Sequence, residues 1–222
     1  MLDQRPSSAS LRDALLMQLV FFAVAIPAVL LVPAKSMGRA VLIAAALYNM
    51  VLPAVASWRG YRQWYLLWIF LLPLSLTLPM ADWMLVKRMD VLVFPNHGVP
   101  KFANVVPVYF AGLWIMLLWP VCLYASAVKR PWSYVAAGAI ALTLFGVWEW
   151  AAQYLTLWHA ENVRMVAGMA LYPLIPEALL GVAALWMWRA TTMSPRWQKI
   201  AGAVSVMVFY AGALSLCLLW IG

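Results

Sequence analysis

Seven long apolar runs organise this chain, separated by short stretches that hold most of its charge. Taking each run between its flanking charges or Pro/Gly breaks predicts helices at about 14–32, 40–57, 64–86, 106–126, 134–157, 167–189 and 200–221. Each is near the roughly 20 residues that a helix needs to cross a bilayer core. Pro27, Pro53, Pro73, Pro79, Pro120, Pro173 and Pro176 fall inside these runs. Proline is tolerated there when neighbouring helices satisfy the freed carbonyls. The first run, with "LVPA" behind it, has the length of a signal peptide but is read as a helix. The stretch "MLDQRPSSAS" has no apolar run, so residues 1–13 are expected to form a disordered cytoplasmic tail. Residues 14–222 then make one transmembrane domain with no linker inside it.

Composition agrees with the pattern. The chain is 67% hydrophobic and 10% charged, with a mean hydropathy of +0.89. A soluble domain is about half apolar and about a quarter charged. So few charges do not cover a water-facing surface, and the fold class expected is an all-α integral membrane protein with about seven transmembrane helices. The net charge of +8 raises the question of nucleic acid. Its Lys and Arg are spread over nearly every loop, which suits membrane insertion and anionic headgroups instead. Counted in alternate loops, nine cations face one side and six the other. The positive-inside rule then puts the N-terminus in the cytoplasm and the C-terminus outside, most simply in a bacterial inner membrane. Trp58, Trp64, Trp132, Trp158, Trp197 and Trp220 lie near span ends and are expected in interfacial belts. Cys122 and Cys217 sit in apolar runs without metal-ligand spacing and read as buried thiols. No phosphate loop or HExxH motif is present, and with only two histidines no cofactor or metal is called for.

The polar residues inside the spans share a depth. Asp82 falls near the outer end of the third span, and Glu149 and Gln153 in the outer half of the fifth, four residues apart and so on one face. Glu177 lies in the sixth, within "LYPLIPEALLG", and Asn49 near the middle of the second. His97 and Asn96 sit in the long outer loop, His159 and Glu161 in the short one. The inner halves hold no acid apart from Asp13 at the start of the first span. An acid at bilayer depth costs about 2.5–3.5 kcal/mol on insertion scales. Low-dielectric surroundings favour a neutral carboxylic acid, which is a proton donor, and a neighbouring ionised one is an acceptor. Plainer roles exist for each: Glu149 as glue to Gln153, Asp82 paired with Lys87 or Arg88, and the histidines as loop surface.

Two stretches also look related, "LPMADWMLVKRMDVLVF" leading to "VVPVYFAGLW", and "LFGVWEWAAQYLTLW" leading to "YPLIPEALLGVAALW". Asp82-Trp83 and Glu149-Trp150 each end a helix on the outer side. An aromatic-rich loop and a Pro-containing helix start follow, and counting from the acids puts Tyr109 near the place of Glu177. Repeats built round a central site are common in membrane folds; here they would span approximately 64–126 and 134–189. On Glu149-Trp150, Trp158, Asn162-Val163-Arg164, Gly168 and "YPLIPEALL", the chain resembles the integral-membrane carotenoid cyclases of the lycopene cyclase type over roughly 64–190. It is also similar in size and helix number to the fungal membrane-bound meroterpenoid cyclases. The resemblance implies two three-helix repeats and buried acids that act on an isoprenoid. The chain departs from it in having Pro176-Glu177 rather than Pro-x-Glu, no acid after Glu177, and Pro107-Val108-Tyr109 in the first half. One carboxylate per half would then require Asp82 or Glu149.

The function expected is a cofactor-free, membrane-embedded cyclase or isomerase that protonates a lipophilic isoprenoid taken from the membrane lipid. Glu177 is the expected acid, with Glu149 or Asp82 as its partner. Asn49, Trp83, Tyr109, Trp114, Trp148, Trp150, Gln153 and His97 are candidate substrate-binding residues, since Trp and Tyr faces stabilise cations by about 0.5–2 kcal/mol. The alternative is a small non-catalytic subunit that binds pigment or lipid, or packs in a homo- or hetero-oligomer. A proton-coupled transporter fits less well, because its path should continue through the inner half.

Overall fold

The structure is a computed structural model that describes residues 5–222, with the side chain of Gln153 outside the described residues. Helices occupy all seven predicted positions: α1 (Ser8–Leu30), α2 (Ala34–Trp58), α3 (Arg62–Thr77) with α4 (Pro79–Lys87), α5 (Phe110–Ser126), α6 (Trp132–Leu155), α7 (Leu174–Thr191) and α8 (Arg196–Ile221). Five stretches are long and apolar enough to cross a membrane, namely α1, α2, α3 together with α4, α6 and α8. The apolar α5 is shorter. The 18-residue α7, which carries Glu177 and Arg189, is not among the five. A full count of seven crossings therefore exceeds what length and composition establish.

Local chemistry explains where the helices depart from the predicted bounds. The Ser7 hydroxyl accepts from the Ser10 backbone N–H and caps α1, so residues 8–13 are helical rather than tail. Proline at N1 opens α4 directly behind the helical Leu78, so one rod carries a break where Pro79 has no N–H to give. α7 starts at 174 rather than 167 because the residues before it form a hairpin.

α3, α5, α6, α7 and α8 pack in a ring, each against the next, with α8 returning to α3. α5 is buried along nearly its whole length. α6 and α7 approach closely at Gly181, where an added Cβ would lie 2.6 Å from that of Ala141. α1 and α2 lie outside the ring and are held by polar bonds. Trp64 Nε1 donates to Ser10 Oγ at 2.8 Å, Gln18 Nε2 to the Tyr48 hydroxyl at 2.7 Å, and Arg59 and the Tyr61 hydroxyl both donate to Asp13 Oδ2. Trp64, expected in an interfacial belt, is fully buried, and its ring packs edge-on against Trp119.

At one end of the ring the two long loops form a roof of short strands. β1 (Leu92–Val93) pairs antiparallel with β4 (His159–Ala160), Leu92 opposite Ala160 and Val93 opposite His159. β2 (Lys101–Phe102) pairs with β3 (Val106–Pro107), and β5 (Met165–Val166) with β6 (Met169–Ala170). β1 begins ten residues after Asp82, and β4 ten residues after Glu149. Exchanging the halves exchanges the two β1–β4 residue pairs, as a local two-fold requires. The first half holds α3, α4, the β2–β3 hairpin and α5, and the second holds α6, the β5–β6 hairpin and α7. Strand register also alters the alignment of the halves. Tyr109 and Tyr172 each lie two residues beyond their strand, and the same count sets Trp114, not Tyr109, in the place of Glu177.

Candidate functional site

Beneath the roof the ring encloses a crevice with about 620 Å³ of empty space, counted out to its open mouth. Little of that space is wide enough to centre a water molecule, so the crevice is narrow along most of its length. α4 contributes Asp82 and Leu85, α5 contributes Trp114 and α6 contributes Trp148 and Glu149. Glu177 comes from α7, Tyr210 from α8, and Leu92, Phe94, Trp158 and Tyr172 from the roof. The three predicted acids thus meet in one cavity, although they stand on three different rods.

Their surroundings differ. Glu149 is half-buried, and its Oε2 accepts from Trp158 Nε1 at 3.3 Å. Asp82 and Glu177 are buried, and Asp82 Oδ2 and Glu177 Oε2 have no hydrogen-bond partner. Trp114 Nε1 is buried and unpartnered too; it lies near Asp82 without the geometry of a proper hydrogen bond. The carboxyls of Asp82 and Glu149 are within electrostatic reach of Glu177. Among the described residues no Lys, Arg or His forms an ion pair with any of the three. Arg88 lies over the Trp83 ring instead of meeting Asp82. The Tyr172 hydroxyl is held in its protonated form, first by burial and then by the nearby Glu149, Asp82 and Glu177. The arrangement offers several acids and hydroxyls to an aromatic-walled space and no compensating cation.

Of the other predicted site residues whose side chains are described, Trp114 and Trp148 line the cavity and the rest do not. Trp83 packs under Arg88, and half-exposed Trp150 packs on Tyr154. Asn49 donates to the carbonyls of Ala45 and Gly112 and accepts from Trp68, which makes it a tie between α2, α5 and α3. Tyr109 stacks behind Phe110, its hydroxyl unpartnered. His97 is buried against the first turns of α2, where an added Cβ on Gly38 would lie 2.7 Å from its Cβ. Desolvation and the nearby Lys101 hold the His97 pKa below the usual histidine value. Gln153 lies outside the described residues. Trp158, expected in an interfacial belt, is a buried wall of the cavity.

The sequence reading missed Tyr172 and Tyr210. Tyr172 stands inside the quoted "LYPLIPEALLG", one residue before Pro173, and was passed over for the glutamate. Tyr210 is a single tyrosine in an apolar run, and only the closing of the ring by α8 brings it to the acids.

The shared part of the chain is the part that builds this cavity. The model of a protein family described as a domain of unknown function (DUF6989) matches residues 79–221. The chain belongs to that family. Every residue lining the crevice falls inside the matched stretch, while α1, α2 and α3 fall before it. No curated protein and no solved structure matches the chain.

Proposed function

We propose that this DUF6989 protein is a membrane-embedded isomerase or cyclase that protonates a lipophilic isoprenoid in the roofed crevice. The observation that carries the reading is the meeting of Asp82, Glu149 and Glu177 in one aromatic-walled space with no cation beside them. A structural acid is ordinarily satisfied by a partner, and two of these keep an open oxygen. In this reading Glu177 gives its proton to a substrate double bond, whose π electrons form the new C–H bond and leave a carbocation. A second double bond attacks the cation, or the cation shifts, and loss of a proton to the carboxylate of Glu149 or Asp82 restores an alkene. Trp158 Nε1 donates to Glu149 Oε2 and so holds that carboxyl at the wall of the cavity. The walls of Trp114, Trp148, Phe110, Phe145 and Trp158 supply π faces to the cation. The product is an isomer of the substrate. The resemblance of residues 64–190 to carotenoid cyclases points the same way.

The same reading takes all seven rods as crossings of a bacterial inner membrane, with the N-terminus cytoplasmic and the roof outside. Trp58, Trp132, Trp197 and Trp220 are exposed near rod ends, as interfacial anchors would be.

Comparative mass spectrometry of lipid extracts from cells expressing the wild-type chain or Glu177→Gln tests the reaction. A lipid of unchanged mass and altered retention, made only by the wild type, is the expected result. Identical extracts sink the catalytic reading, and a lipid then found bound to both proteins favours a pigment- or lipid-binding subunit. A product that differs by two hydrogens or one oxygen points to redox chemistry instead.

A further inference from the structure

We propose that the crevice is built for a lipid that carries an oxygen acceptor on its cyclic or terminal head, not for a pure hydrocarbon. The inference rests on the reading of the crevice as a ligand site and adds what kind of ligand it takes. Three unpaired donors point to it. Trp114 Nε1 is a donor with no acceptor capacity, buried, and without a partner. The Tyr172 and Tyr210 side chains are also buried and line the same space, and neither hydroxyl has a hydrogen-bond partner among the described residues. A buried donor left unpaired loses the hydrogen bond that water gave it in the unfolded chain. The indoles of Trp64, Trp68 and Trp119 all donate hydrogen bonds.

A hydrocarbon would displace whatever hydrates these groups and offer nothing back. A carbonyl or ether oxygen accepts from the indole and the phenols, while the rest of the ligand lies along the aromatic walls. Sites that hydrogen-bond a ligand oxygen reject the analogue lacking it far more strongly than apolar pockets discriminate by size. The position of Trp114 sharpens the point. Counting from the ends of β3 and β6 pairs it with Glu177, and both residues line the cavity, the donor on α5 and the acid on α7. A ligand that spans them has its oxygen held at one and its reacting double bond at the other.

The test uses the full chain in detergent, melted in the presence of increasing concentrations of a short-chain prenylated benzoquinone. A parallel series uses an acyclic terpene hydrocarbon of matched length. The quinone is expected to raise the melting temperature with an apparent affinity at least about tenfold above that of the hydrocarbon. Trp114→Phe is expected to weaken the quinone about tenfold and leave the hydrocarbon where it was. Tyr210→Phe gives the same direction if Trp114→Phe does not fold. Equal affinities, no shift from either lipid, or a quinone preference that survives both substitutions overturns the proposal; the last means the indole N–H only turns toward Asp82. Turnover plays no part in this readout. Failure here leaves the acid chemistry standing, and Glu177→Gln tests that chemistry without disturbing the donors.

Discussion

The outer pair α1–α2, with α3 behind it, and the crevice of the ring place polar groups in apolar surroundings in opposite ways. Along α1 the donors are matched: Trp64 to Ser10, Arg59 and Tyr61 to Asp13, and Gln18 Nε2 to Tyr48, with only Gln18 Oε1 left open. In the crevice Asp82, Glu177 and Trp114 each keep an open atom, and the two tyrosine hydroxyls face the void. Both regions belong to one chain with one composition, so a general tolerance for buried polar groups does not explain the contrast. Along α1 the polar contacts that fix the helix use donors satisfied within the protein, whereas Trp114 keeps an open donor in the crevice. The family match begins at 79 and covers the crevice but not α1, α2 and α3.

The sharpest break of this comparison is Glu177→Gln. If the open carboxyl is catalytic, isomer formation falls by about 10²- to 10⁴-fold. The melting temperature stays put, since no partner is lost; a large fall in melting with normal turnover would make Glu177 structural. Asp13→Ala should do the reverse. It removes the acceptor of Arg59 and Tyr61 and should lower the melting temperature, an effect that solvent screening at the exposed Arg59 keeps modest. The lipid extract is expected to match the wild type. Trp158→Phe lies between the two regions in kind. It keeps the aromatic wall but removes the hydrogen bond that Trp158 donates to Glu149, worth about 1 kcal/mol, so turnover should drop about fivefold.

The smallest effect expected is a pH dependence of roof docking. The folded-state pKa of His97 lies below its unfolded value of about 6.5. The unfolded chain then binds more protons in that window, and the contribution of His97 to stability is full above about pH 6.5 and lost as the pH falls below it. Melting curves across pH should show a small acid-side loss that His97→Phe abolishes. A loss that persists in the variant assigns it to another group.

Much of the fold was legible in the chain. The apolar runs gave the positions of all the long helices, because twenty apolar residues have few other fates. The bounds slipped where local chemistry outweighed hydropathy: the Ser7 cap extended α1, and hairpins with positive-φ turns at Ala103-Asn104 and Ala167-Gly168 shortened the starts of α5 and α7. The three acids were found by their depth alone. Trp83 and Trp150 were chosen on the same ground and face elsewhere, since depth fixes height along a helix but not the direction around it. Trp64 and Trp158 misled in the opposite sense, with end-of-span positions that turned out buried.

The sequence by itself determined that this chain folds as apolar helices and that its acids share one level. Those facts follow from the expense of polar groups in oil and from a rise per residue that hardly varies. Only the tertiary structure decided that Asp82, Glu149 and Glu177 face the same hollow, and that Tyr172, Tyr210 and Trp114 join them. Rotation of each helix about its axis is set by packing between neighbours, at Gly181 against Ala141 and along the polar seam of α1, and no single run of residues carries that information.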